Sequence, residues 1–364
     1  MKKVLTNTRI YTGKDILSGT AILVNEEAIE GFVYDTDIPS GYEVIDLRGN
    51  NIAPAFIDLQ IYGGNGRLFS ADPSIEAINS TFNYSKQGGA AKFLLTIATN
   101  SAEVFNKSIA VAKQYIKEGG KGLAGLHIEG PWINAEKRGA HLPEFIHRPT
   151  MVEVKKLVEE ADGIVKIITL APEMVDEEII DFLQSSGIIV SAGHTNATHQ
   201  QAIKGFEKIR VATHLFNAMS QFQSRETGVV GSIYDHPSVS CSIVADGVHV
   251  DFAAIRISKK ILGERLFLIT DAVAETTSGP YQHVFNKDRY VMPDGTLSGS
   301  SLTMMKAVKN CVEFAGIDLQ EALRMASLYP ARILGIENTT GLIEKNKEAG
   351  FVVFDDELNI IDVL

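Results

Sequence analysis

Residues 122–134 read GLAGLHIEGPWIN, and the rest of the chain is organised around this stretch. Leu123 to Ile128 is apolar, bounded by glycine on both sides and too brief for a helix, so it reads as a buried strand. His127 and Glu129 alternate with Leu126 and Ile128, which sends both polar side chains to one face. Gly130-Pro131 then stops the strand and opens a loop. A carboxylate at the end of a buried strand is costly unless a cation or a set of donors compensates it. Glu129 alone reads as a loop cap or an arginine partner. The weight shifts because the same strand-end pattern recurs downstream with His and Asp.

Working outward, the middle of the chain alternates. Buried-strand segments fall at 52–61, 92–98, 122–129, 164–170, 188–193, 211–216, 239–244 and 266–269, with helical patterns at 74–87, 101–117, 150–160, 176–185, 199–206 and 252–262. Eight strands alternating with helices over this length predict a (β/α)₈ TIM-type barrel of the α/β class. A doubly wound open sheet is the alternative, but no glycine-rich nucleotide fingerprint follows an early strand. Gly63-Gly64-Asn65-Gly66 lacks the Lys-Ser/Thr of a phosphate loop. The first fifty residues are short β-branched runs between turns, and 349–355 and 358–364 have the same character. Gly341 and Asn346 supply turn positions suited to positive φ. The two ends therefore predict one small β-sandwich domain, 1–52 plus 337–364, beside a barrel at 53–336.

Composition narrows the function. The chain has 364 residues, 45% of them hydrophobic, enough to bury a large core. A net charge of −11 without a basic run argues against nucleic acid or an anionic membrane as partner. It leaves room for an anionic small molecule, because one arginine or helix N-terminus can hold a phosphate. Cys241 and Cys311 have no metal or redox spacing and read as buried thiols of a reducing cytosol. The N-terminal MKKVLTNTRIYTG lacks the apolar core of a signal peptide, and no apolar run reaches the length of a membrane span, so a cytoplasmic location is expected.

In such a barrel the chemistry sits at the C-terminal ends of the strands. Those ends carry Gln60 and Tyr62, then Glu129, His194, His214, Asn217, His249 and Asp271. Singly, a strand histidine is more often a hydrogen-bonded core residue than a ligand, and a strand-end aspartate is often a loop cap. Jointly they are harder to dismiss. Glu129, His194 and His214 form an O/N/N set suited to a divalent ion such as Zn²⁺ with a position open to water. Asp271, two strands on, would sit beside that water as general acid/base. Neither cysteine lies at a strand end, so no nucleophilic thiol competes.

The motifs HIEGPWIN, SAGHT, THLFNAM, ADGVHV, LITDA and LSGSSLTM resemble those of the N-acetylglucosamine-6-phosphate deacetylase family of the amidohydrolase superfamily. The likeness spans essentially the whole chain, from the β-rich start to SLYPAR at 327–332. It implies hydrolysis of the acetamide of N-acetyl-D-glucosamine 6-phosphate, in amino-sugar catabolism. It implies Glu129, His194 and His214 as metal ligands, Asp271 as acid/base and His249 as the group that orients and polarises the substrate carbonyl. His141, Asn217, Ala218 and the 297–302 stretch (Leu297, Ser298, Gly299 and Ser300 foremost) would line the sugar-phosphate site. Arg225 matches the family arginine that reaches the phosphate in the neighbouring subunit of a homodimer. From spacing alone it reads as a solvated loop arginine beside Glu226.

The chain departs from the superfamily where His-x-His is common, carrying Gln60-Ile61-Tyr62. Pro54-Ala55 stands for the usual Pro-Gly, and Asn346 where glycine is common. Some deacetylases of the family also carry glutamine at the first of these positions. Because a glutamine carbonyl binds zinc more weakly than imidazole, one ion per subunit is expected, zinc before Fe²⁺, Co²⁺ or Mn²⁺, with Gln60 near its water. Tyr62 either packs on the sugar or fills the strand end. Rival readings are the galactosamine epimer or a cyclic amide as substrate, and a non-catalytic oligomerising scaffold on the same fold.

Overall fold

A computed structural model describes residues 2–277 and 279–364. Its centre is an eight-stranded parallel sheet: Phe56–Ile61, Ala90–Ala98, Leu123–Glu129, Val165–Leu170, Ile189–Ala192, Val211–Ala212, Ser240–Ile243 and Leu266–Leu268, each paired to the next. The sheet closes on itself at the C-terminal mouth. Asp271 N donates to Gln60 O at 2.9 Å and Tyr62 N to Ala272 O at 2.8 Å. Below them the buried Asp58 carboxylate accepts from Thr270 N at 3.2 Å and Thr270 Oγ1 at 2.5 Å. The open-sheet alternative is thereby excluded.

The helices lie where the 3.6-residue pattern and the capping residues put them. Ile75–Gln87, Ala102–Lys117 and Met151–Ala161 begin after Ser74, Ser101 and Thr150, each accepting a backbone N–H of the first turn. His199–Phe206 opens on a Thr198/Gln201 capping box. Glu177–Ser185 and Phe252–Leu262 also occupy their expected places. The alternation does not predict Gly228–Asp235, whose two glycines and β-branched residues weaken any helical signal. Nor does it predict Met304–Glu313, Leu319–Ala326 and Leu328–Leu334, which follow the last strand.

Two expected strands are corrected. The run at 52–61 is two strands: Asn51–Pro54 pairs with Arg9–Tyr11 and Phe351–Phe354, and the barrel strand starts at Phe56. Ala55 is the crossing point, its N–H donated to Gly350 O at 3.0 Å. The run at 211–216 is a strand only to Ala212, because His214 and Phe216 take positive φ (40° and 76°), which no strand tolerates.

The chain ends do join. One sheet has the order Ala28–Tyr34, Thr20–Asn25, Lys2–Thr6, Glu43–Asp46; the other has Ile360–Val363, Phe351–Phe354, Asn51–Pro54, Arg9–Tyr11, Ile16–Leu17. Leu5, Ile22, Val24 and Ile29 of the first pack on Ile10, Ile52, Phe351 and Val353 of the second, forming a sandwich core separate from the barrel's. Gly341 and Asn346 adopt φ of 85° and 70° in the connecting turns, as their types allow.

Candidate active site

Barrel strands present alternate residues to the interior, so His127 and Glu129 both point inward from Leu123–Glu129. They do different things. His127 Nδ1 donates to Leu59 O at 3.0 Å and Nε2 accepts from Thr169 Oγ1 at 2.8 Å, which satisfies the ring as a core histidine. Burial lowers its pKa to about 4, so it is neutral. Glu129, one layer nearer the mouth, meets the other histidines. Gly130, at φ +78°, then turns the chain out of the strand, pressed against Thr99 where a Cβ would not fit.

Glu129 Oε1 lies 3.0 Å from His214 Nε2 and 3.4 Å from His194 Nε2, and the two imidazole nitrogens are 3.1 Å apart. Donor atoms at about 2.0–2.2 Å around a tetrahedral ion stand about 3.3–3.6 Å from one another, so this triangle is slightly tighter than a zinc site. His194 Nδ1 faces Lys137 O at 2.8 Å. A carbonyl only accepts, so the proton sits on Nδ1 and the Nε2 lone pair faces the cluster, as a ligand requires. His214 Nδ1 is buried without a hydrogen-bond partner among the described residues. Burial raises the pKa of Glu129, but His194, His141 and His214 outweigh it and hold the carboxylate well below its usual range. An ionised carboxylate among close imidazoles fits a divalent cation.

His141, expected along the sugar-phosphate site, lines the cavity and also lies against the cluster, Nε2 at 3.3 Å from Glu129 Oε2. With Glu129 and His194 it forms a further cation-sized group. Its Nδ1 accepts from Thr99 N at 3.3 Å, which leaves the proton on Nε2 as a donor toward Glu129. In that tautomer His141 is not a ligand.

Gln60 and Tyr62 close the cluster on the first-strand side. Gln60 Nε2 donates to Asp271 Oδ1 at 2.8 Å and Glu129 Oε1 at 3.1 Å. The ionised Glu129 can only accept, which obliges the amide to present its NH₂, so no glutamine carbonyl is offered to a cation. Tyr62 OH donates to Glu129 Oε2. Burial, Glu129 and Asp271 all push the phenol's pKa well above 10, so it stays a donor. The buried Asp271 carboxyl is pushed up to about 8, by burial first and by Glu129, Asp246 and Asp58 against the opposing His214. It occupies φ 54°, and Ala218, His194 and His214 are also left-handed. Backbone strain is thus present at the site.

A cavity of about 290 Å³ opens above these groups, large enough for a monosaccharide and lined by Tyr62, Glu129, His141, His194, His214, Asn217, Ala218, His249 and Asp271. Leu297, Ser298 and Gly299 also line it. Ser300 does not: its Oγ is spent on Thr270 O at 2.6 Å, holding the end of the last strand. Arg225 lies outside this cavity too. It lines a separate surface hollow with His199, Phe222 and Tyr234, while the Glu226 carboxylate turns to His199 N and Gly228 N.

Tyr281 and His283 line the catalytic cavity without a sequence signal. They fall in the long segment after the last strand, where no periodicity marks a barrel position. Tyr281 OH donates to Thr99 O at 2.6 Å and His283 Nδ1 pairs with Ser298 Oγ at 3.0 Å, which folds that segment over the mouth. Asp246 lies in the ADGVHV motif, but its contact to His249 is not encoded by spacing. It holds His249 Nδ1 at 2.6 Å.

A closed parallel barrel with a Glu/His/His cluster and a high-pKa carboxyl at its C-terminal mouth defines the class of metal-dependent amide hydrolases. Comparison agrees. Residues 51–363 match the amidohydrolase family and residues 4–52 the NagA composite domain. The chain is 38% identical to the N-acetylglucosamine-6-phosphate deacetylase of Haemophilus influenzae, over 99% of this chain and 97% of that one. It is 32% identical to an N-acetylgalactosamine-6-phosphate deacetylase of a Shewanella species, over 87% and 82%. The crystal structure of N-acetylglucosamine-6-phosphate deacetylase from Pasteurella multocida superposes with a TM-score of 0.96 at 34% identity, covering 100% of this chain and 98% of that one. The chain belongs to the amidohydrolase family and, within it, to the N-acetylglucosamine-6-phosphate deacetylases.

Proposed function

We propose that this protein hydrolyses the acetamide of N-acetyl-D-glucosamine 6-phosphate to D-glucosamine 6-phosphate and acetate, in the cytoplasm, as a step of amino-sugar breakdown. The observation that carries the reading is the placement of Asp271, in the same cavity as the Glu129/His194/His214 cluster and with a carboxyl raised to about 8. Such a group can hold or release a proton near neutrality, as amide cleavage requires: first from the attacking water, then to the departing amine. Glu129, His194 and His214 are the residues to hold one divalent ion, zinc in preference to Fe²⁺, Co²⁺ or Mn²⁺. When bound, that ion supplies Lewis acidity to the acetyl carbonyl and acidifies water.

His249, His141, Asn217, Ala218 and Leu297 to Gly299 all line the cavity, which supports assigning His249 to the substrate carbonyl and the others to the sugar. The NH₂ of Gln60 and the phenol of Tyr62 occupy both oxygens of Glu129, which supports a single ion. Arg225 is assigned to the phosphate of a partner's site in a homodimer, consistent with its exposure and its distance from its own cavity. We assign 1–52 with 337–364 to the β domain and 53–336 to the catalytic barrel.

The galactosamine epimer is the second reading, favoured by the Shewanella relative. Acetate release by purified, metal-analysed protein on the two 6-phosphates decides between them. No release from either sinks the proposal.

A further inference from the structure

Asp246 and His249 stand three residues apart after the strand Ser240–Ile243, and their contacts leave little freedom. One carboxylate oxygen of Asp246 accepts from Val248 N and His249 N, each at 2.8 Å, which ties off the turn. The other faces His249 Nδ1 at 2.6 Å. Gly247 between them sits at φ +76°, against the Phe252 ring, where a Cβ would collide. Asn310 Nδ2 donates to Ala245 O at 2.8 Å and anchors the strand end from behind. Burial raises the pKa of Asp246, but His249 and the two backbone amides outweigh it, so the carboxylate stays below its usual range. The ring borders the catalytic cavity, and its Nε2 has no hydrogen-bond partner among the described residues.

We propose that Asp246 is the positioning residue for His249: it keeps a proton on Nδ1, turns Nε2 into the cavity, and balances the charge the ring carries when Nε2 also donates to the acyl oxygen. This rests on the reading of the site as a deacetylase. An ionised carboxylate can only accept, so the nitrogen facing it must carry hydrogen. That fixes the ring's orientation and tautomer before substrate arrives, as an orienting carboxylate does for other catalytic imidazoles. A ring that has taken a second proton from solvent at Nε2 meets the acyl oxygen as a donor, and the Asp246 carboxylate 2.6 Å behind Nδ1 is the counter-charge that lets it stabilise the negative charge developing there.

Asp246→Asn separates this role from support of the turn. The introduced carbonyl can still accept from Val248 N and His249 N, while the introduced NH₂ faces Nδ1 as a donor. The ring then holds a single proton, on Nε2, and meets the acyl oxygen as a neutral donor with no counter-charge behind it. We expect ¹⁵N-histidine spectra of the zinc-loaded wild type, assigned with His249→Gln, to show Nδ1 of His249 protonated, and the Asp246→Asn spectrum to show the proton moved to Nε2. We expect kcat on N-acetylglucosamine 6-phosphate to fall roughly 10²-fold, with KM and zinc content little changed. An unprotonated Nδ1 in the wild type overturns the proposal whether or not the variant folds. So does wild-type kcat in Asp246→Asn, or zinc loss in step with activity, which would mark a purely structural role. A wild type that releases no acetate would instead remove the deacetylase reading and leave the tautomer result standing.

Discussion

Asp58 offers a test of the barrel closure that is independent of catalysis. Its carboxyl is fully enclosed and pushed up to about 6 by burial, against the bonds from Thr270 and from Gln60 N. In the unfolded chain it returns to 3.8, so over the window between these values the native state binds the extra proton. Stability from this group is therefore fully present below the unfolded pKa and is lost as pH rises through about 6. Two units correspond to about 3 kcal/mol above that window, of which about half develops between pH 5 and pH 8. Asp58→Asn removes the titration and keeps the contacts. The amide oxygen accepts from Gln60 N and Thr270 N, while its NH₂ donates to Thr270 Oγ1, which can turn its own hydrogen to Gln60 O at 3.4 Å. At an unfolding entropy of about 2 cal/mol/K per residue, a chain of 364 residues moves by about 1–1.5 °C per kcal/mol. Melting of both proteins, metal-loaded and at fixed scan rate, should show Asp58→Asn gaining about 2 °C on the wild type between pH 5 and pH 8. A difference that stays constant, or that runs in favour of the wild type as pH rises, refutes the buried-acid account.

Further outcomes can be stated for the site. Asp271→Asn should retain its metal and lose about 10²–10⁴-fold in turnover; wild-type turnover with metal bound would remove Asp271 as acid/base. Arg225→Ala should weaken phosphorylated substrate far more than the unphosphorylated sugar, since a guanidinium fork matches phosphate oxygens. Mixed with Asp271→Asn it should recover activity in heterodimers, and equal losses on both substrates would leave Arg225 without a phosphate role. Elemental analysis without chelator should find close to one metal per chain, and chelation should lower the melting temperature as binding to the native state is lost. Two tightly held equivalents needed for activity would contradict a single-ion site.

Much of this molecule is written in local sequence. Strand and helix periods depend on neighbours within a few residues, so Leu123 to Glu129, the capped helices and the β-rich ends are visible without coordinates. A parallel barrel also sends every strand end to one mouth. Glu129, His194, His214, His249 and Asp271 could therefore be grouped by counting strands, and they share one cavity. What a residue does there is decided by contacts between segments far apart in the chain. His127 and Glu129 are two residues apart and equally buried, yet one is spent on Leu59 O and Thr169 and the other meets the imidazoles. His141 belongs to the cluster only because its loop folds back on Thr99. Tyr62 is a donor to Glu129 across the barrel, a role no spacing encodes. Tyr281 and His283 reach the mouth from an aperiodic segment, and Arg225 stays away from the cavity of its own chain. The periodic pattern of burial specifies which element a residue belongs to; the closure of the barrel and the return of its loops decide which atoms meet.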